Sequence, residues 1–179
     1  MATFNVDPVH THIDFAVRHL VISKVRGAFE RFNIALDVDD ATNLPTSIRV
    51  ELDADSIETR VADRDAHLRS ADFLHAEQHP KITFVSTKIS GTPEAFTIDG
   101  DLTIRGTTKP VSLHGAFDGR MQDPWGYDRV AYTASTKINR KDFGLTWNQA
   151  LEAGGFAVGD EIEISISVEA VKAKDAVPA

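Results

Sequence analysis

Cysteine is absent from the 179 residues. Disulfides, a thiolate nucleophile and any zinc site built on sulfur are therefore excluded. There is no basic excess either: the formal net charge is -8. That excludes the electrostatic footprint of a nucleic-acid binder, and an overall attraction to anionic membranes. Nothing approaches the ~18 consecutive apolar residues of a spanning helix, so no stable membrane insertion is expected. The start, "MATFNVDPVHTHIDF", has neither a basic leader nor an apolar segment after it, so the expected compartment is the cytoplasm. G-x-S-x-G, G-x-G-x-x-G and Walker loops are missing. No stretch assembles a nucleophile, a base and oxyanion donors. A non-catalytic protein without a cofactor is the expectation.

What is present is a period of two. "SIRVELDA" sets Ile48, Val50 and Leu52 opposite Arg49, Glu51 and Asp53. "EIEISISVEAV" sets Ile162, Ile164, Ile166 and Val168 opposite Glu161, Glu163, Ser165 and Ser167. "VSLHGAF" and "RVAYTASTKI" behave alike, as do His12 to Arg18, Val25 to Val38, Ile82 to Ile89 and Phe96 to Ile104. Strict alternation predicts antiparallel strands with one dry and one wet face, about eight of them. Turn chemistry such as "TNLPTS", "RGTTKP" and "MQDPWGYD" separates the runs, and Pro110 is expected to start a strand. A sheet with one apolar face hides it as a sandwich or as a closed barrel. The pattern fits both. Residues 1–172 read as one domain and 173–179 as a flexible tail.

One segment, Arg60 to Ala71, departs from this period. It predicts a short helix docked on the sheet, with Thr59 as its cap and Asp65 and Arg69 as a supportive pair four apart.

Histidines offer a metal alternative. His10, His12 and Asp14 lie near one another at the first strand, and His67, His75 and His79 fall within one stretch. The "HAEQH" spacing matches neither HExxH nor its inversion, and Pro80 disfavours a helical pair there. Loop or half-buried histidines are the plainer reading, and His19 shares the parity of Phe15 and Val17. No metal is expected. Phe29 and Phe32 are three apart, so they share a face only if the strand is interrupted between them.

Several stretches together resemble the YceI-like family of polyisoprenoid-binding, lipocalin-like proteins. They are "DPVHTHIDFAVRHLVISKVRGAFERF", "DSIETRVADRDAHLRSADFLHAEQHPKITF", "GDLTIRGTTKPVSL" and "NRKDFGL". The resemblance runs from about Phe4 to Val171. It implies an all-β fold: an extended eight-stranded antiparallel barrel with an elongated apolar pore and a short helix closing one end. It implies a carrier that holds a long isoprenoid chain or a prenylated quinone-like amphiphile, with no catalysis and no obligate metal. Many relatives carry a secretory signal, which the start of this chain does not show. The alternatives are a metal-dependent enzyme using a His/Asp cluster and a stress-protective barrel with a filled core.

Given a closed barrel, the apolar parity must point inward. That assigns the tunnel lining to Ile13, Phe15, Val17, His19, Val50, Leu52, Phe84, Leu102, Ile104, Leu113, Tyr132, Ile164 and Ile166. The Tyr132 hydroxyl needs a mouth or a partner. Arg64, Asp65, His67, Arg69 and Asp72 become gate or head-group candidates, with arginine and aspartate pairing with each other and with loop backbone. Exposed aromatics such as Trp125 and Tyr127 give a homodimer as a further expectation.

Overall fold

The alternating runs close on themselves. The computed structural model describes residues 1–174. Its strands are β1 (Ala2–Val6), β2 (His12–His19), β3 (Ser23–Phe29), β4 (Phe32–Val38), β5 (Pro45–Asp53), β6 (Ile57–Glu58), β7 (Lys81–Thr92), β8 (Ala95–Ile104), β9 (Thr107–Gln122), β10 (Asp128–Asn139) and β11 (Val158–Lys172). One α-helix, α1 (Ala62–Arg69), lies between β6 and β7. All pairings are antiparallel, and β1 pairs with both β4 and β11, which closes an eight-stranded barrel.

The eight runs read from the sequence are the eight staves of this barrel, and three staves are split. β1 and β2 both pair along β11, β4 and β3 follow them, and β5 and β6 come next. The run from Val25 to Val38 breaks at Glu30 and Arg31, whose N–H groups turn to Ser56: Glu30 to the carbonyl (3.2 Å) and Arg31 to the hydroxyl (3.1 Å). That break lets Phe29 and Phe32 pack against one core cluster. Pro110 lies inside β9 rather than at its start, opposite Asp101, beyond the reach of the β10 pairing that begins at His114. It therefore removes no ladder hydrogen bond on that side.

The helix end is where the sheet gapes. β6 has one partner, β3, and the chain from Thr59 to Pro80 fills the space toward β7. Thr59 is not the helix cap: Val61 holds that position without a side-chain bond. Asp65 is buried instead and accepts from the Thr59 N–H (2.9 Å) and hydroxyl (2.5 Å). Asp65 forms no pair with Arg64 or Arg69. Arg64 donates to Thr59 Oγ1 and O (both 2.8 Å), and Arg69 donates to the carbonyls of Asp55 (2.7 Å) and Ile57 (3.0 Å). Carbonyls on the side of β6 away from β3 have no ladder partner, and these arginines supply donors there.

The opposite end is filled. Phe4, Val38, Val130 and Ala170 are at most 1% exposed. Arg120 lies over the Phe4 ring, 5.7 Å from its centroid, and binds Asp128, Asn43 and Asp40. Arg129 bonds Asp123 (2.6 Å), Asp7 (3.1 Å) and Glu169 (2.7 Å). Ala173 donates to Thr3 O (2.9 Å), so the expected tail begins no earlier than Lys174, and from Asp175 on it lies outside the described residues.

These clusters set the acid limit of stability. The Arg120 hydrogen bond holds Asp128 below the usual carboxylate range, against an upward push from burial. His10 does the same for Asp7, opposed by burial and helped by Arg129. In Asp123 burial pushes upward most, yet Arg129 and the N–H groups of Tyr127 and Trp125 bring the net value down. A depressed folded-state value contributes stability that is complete above the ordinary 3.8 and lost as pH falls through the lower folded values. The urea midpoint is expected to hold from pH 7 to about 4 and to drop below that. A midpoint that begins to fall near pH 6 would point to histidine instead.

Candidate functional site

Inward apolar side chains from every stave leave space between them. A cavity of about 460 Å³ runs inside the barrel, within the ~300–1,000 Å³ typical of small-molecule sites. Its wall includes all thirteen side chains assigned inward by parity, from Ile13 to Ile166. Asp14, Arg18, Thr83 and Thr133, of the opposite parity, border it as well.

At the helix end the wall carries Arg18, His19, Arg64, His67, Trp147 and Gln149, while Asp14, Thr83, Thr133 and Thr136 border the cavity further along the staves. Among the gate candidates, Arg64 and His67 reach the cavity, whereas Asp65, Arg69 and Asp72 do not line it. Asp65 and Arg69 hold the plug to the barrel, and Asp72 accepts from His67 Nε2 (2.9 Å). The His67 ring packs edge-on against Trp147 (centroids 4.6 Å) and Phe73 (5.0 Å). Toward the filled end, Tyr132 is buried and its hydroxyl donates to the Asn43 carbonyl (2.8 Å). Burial pushes the Tyr132 pKa up to about 12. It is a neutral donor there.

Sequence reasoning missed two sets of residues. The first is Arg140, 2% exposed and immediately after β10. It donates to the carbonyls of Leu145 (2.6 Å), Gly159 (2.8 Å), Trp147 (2.9 Å) and Val158 (3.4 Å). One planar fork thereby ties the segment from Leu145 to Val158, which walls the mouth, to the last stave. Burial lowers the Arg140 pKa, and Asp160 opposes that. The second set is Gly27, Gly100 and Gly115. A Cβ there would meet the rings of Phe15 (2.4 Å), Phe84 (2.4 Å) and Phe96 (2.3 Å). Each ring occupies the space over a glycine on a neighbouring strand that a side chain would otherwise fill. Mid-strand glycine beside inward phenylalanine was the available signal. Gly115→Ala is expected to drive the Phe96 ring off the wall, costing ~1–3 kcal/mol and lowering Tm by roughly 2–10 °C. An unchanged Tm by circular dichroism would refute the stacking role.

The histidine groups do not assemble. His12 and Asp14 sit on the outer face opposite exposed Ser167 and Ser165, and His67 packs on aromatic rings away from the His75–His79 pair. Among the described residues, Asp7, His10 and Glu169 are the one trio of acid and histidine groups whose ligand atoms all lie within 4.8 Å of one another. Arg129 Nη1 already sits on both carboxylates. A cation would have to displace that guanidinium.

A closed eight-stranded barrel around an apolar cavity, with polar groups at one mouth, defines a lipocalin-like binding barrel. The YceI-like domain model matches residues 4–170, and the chain belongs to that family. It is 36% identical over 171 residues to a UPF0312 protein of Pectobacterium carotovorum, covering 96% of this chain and 86% of that one. A UPF0312 protein of Staphylococcus epidermidis is 37% identical, covering 94% and 97%. Among solved structures, the Campylobacter jejuni YceI protein superposes with TM-score 0.76 at 28% identity, covering 88% and 90%. Burkholderia cenocepacia BcnA shares the fold (TM-score 0.79, 19% identity, 92% and 99% covered). So does a Saccharophagus degradans domain described as polyisoprenoid-binding (TM-score 0.68, 11% identity, 97% and 100% covered).

Proposed function

We propose that this protein is a non-catalytic carrier that holds a long isoprenoid chain, such as that of a prenylated quinone, along the barrel. The observation that carries the reading is the cavity wall: apolar side chains from every stave, with Arg18, Arg64 and His67 at one mouth. The chain lies among Ile34, Val50, Leu102, Leu113 and Ile164, and the head stays beside Arg18, Arg64 and His67. The Saccharophagus domain, which shares this fold, is described as binding polyisoprenoids.

Energetics support a ligand without a strong polar anchor. A buried methylene-sized group gives ~0.8 kcal/mol, so a five-carbon isoprene unit gives roughly 3–4 kcal/mol. A few units exceed an association cost of ~4–15 kcal/mol. The expected selectivity follows chain length more than head group. Mass spectrometry of an organic extract of the purified protein should show a prenyl lipid near one equivalent. Repeated extracts without lipid, together with failure to take up prenylated quinones from detergent, would defeat the reading.

A further inference from the structure

A three-residue turn, Leu20-Val21-Ile22, joins β2 to β3, since His19 pairs with Ser23. All three side chains face solvent, Val21 at 65% and Ile22 at 83% exposure. Leu20 and Val21 both adopt left-handed backbone, with φ of 52° and 68°. Such turns favour asparagine and glycine, and a β-branched residue there is an outlier. The sequence therefore places apolar side chains at this tip against both local backbone preference and solvation. An observed outlier of this kind points toward function.

The tip adjoins the cavity mouth. Leu20 N–H donates to Ala157 O (2.9 Å), Gly155 lies beside Val21, whose Cγ2 would be 3.8 Å from a Cβ placed there, and exposed Phe156 extends the apolar surface. His19, Ala157 and Val158, next in sequence, line the cavity. Charge brackets the tip. The hairpin from His12 to Phe29 carries Arg18, Lys24 and Arg26 against Asp14 alone, a net +2 on a chain of -8. Lys24 is held by Glu163 (2.8 Å), and among the described residues Arg18 and Arg26 form no salt bridge. The acids on the flanking elements are Glu152 and, at the start of β11, Asp160, Glu161 and Glu163, which are paired with Lys141, Lys137 and Lys24.

We propose that this hairpin tip, with Phe156, docks the barrel on an anionic lipid bilayer and opens the tunnel mouth onto it. Leu20, Val21 and Ile22 dip among the acyl chains, while Arg18, Arg26 and the Lys24 stem stay at headgroup level. The inference rests on the carrier reading. A prenyl chain that passes between bilayer and barrel through this contact never crosses water, which is the costly step for an apolar ligand.

The test uses the full chain with vesicles of phosphatidylcholine, with and without phosphatidylglycerol. Wild type should sediment with the anionic vesicles, and less so in high salt, where surface charge is screened. The double variant Val21→Asn, Ile22→Ser suits the left-handed turn and touches no cavity-lining residue. It should keep its Tm and lose vesicle partitioning by at least about a hundredfold. It should still load prenylated quinone from detergent micelles as wild type does. Equal sedimentation of variant and wild type, or none by wild type, overturns the proposal. So does a switch from dimer to monomer in light scattering without vesicle binding, which would make the patch an interface between copies. Failure of both proteins to load from micelles is a separate result: it defeats the carrier reading and leaves vesicle adhesion to be read by itself.

Discussion

Arg140→Met is expected to cost about 3–5 kcal/mol of unfolding free energy. The size follows from the geometry. Asn148 Nδ2 also donates to the Val158 carbonyl (2.7 Å), so that acceptor keeps a partner. The carbonyls of Leu145, Trp147 and Gly159 lose the guanidinium that reaches them, and each buried acceptor left unpaired costs ~1–3 kcal/mol. Water at the mouth recovers part of that. Arg140→Lys keeps the charge but cannot fork to carbonyls on two sides, so it should restore less than half. Urea titrations with unchanged m-value check both variants. A loss below about 1 kcal/mol for the methionine variant would show that the segment from Leu145 to Val158 is held by its own contacts.

Val50→Phe is expected to abolish lipid retention while leaving unfolding free energy within about 1 kcal/mol of wild type. Val50 lies mid-barrel, paired with Ile34 on one side and Phe84 on the other, with its side chain on the cavity wall. In a filled core the same ring would overpack and cost ~1–3 kcal/mol. Here the added atoms enter the 460 Å³ cavity, where they displace ligand rather than protein. Parallel measurements of thermal stability and extractable lipid separate the two cases. Lost stability with lipid retained would mean that the chain does not pass Val50.

The dry face was legible in the sequence because its cause is local. Alternation along β5, β10 and β11 fixes which side chains share a side, and closure then leaves those side chains a single place to go. The thirteen lining residues assigned that way therefore all reach the cavity. The family resemblance supplied closure, which parity alone could not, since a sandwich satisfies the same alternation. The helix also showed itself by its break in period, although its bounds came out tighter, at Ala62–Arg69.

Where side chains meet across the barrel was not legible, because those distances depend on register and closure. Asp65 looked like an ion-pair partner at helical spacing. The gap beyond β6 buries it, and its carboxylate goes to Thr59. Arg140 stood in the family-like stretch "NRKDFGL", but nothing in the sequence named its partners. Only the fold brings Leu145, Trp147, Val158 and Gly159 around it. Gly115 and Phe96 are nineteen apart in sequence, yet strand register sets them face to face. The sequence by itself determined that this chain makes a sheet with one apolar side, because hydrophobic burial acts on each residue's own chemistry. Tertiary structure decided that the enclosed space stays partly open, because a void is what remains when long-range packing seats rings over glycines of neighbouring strands.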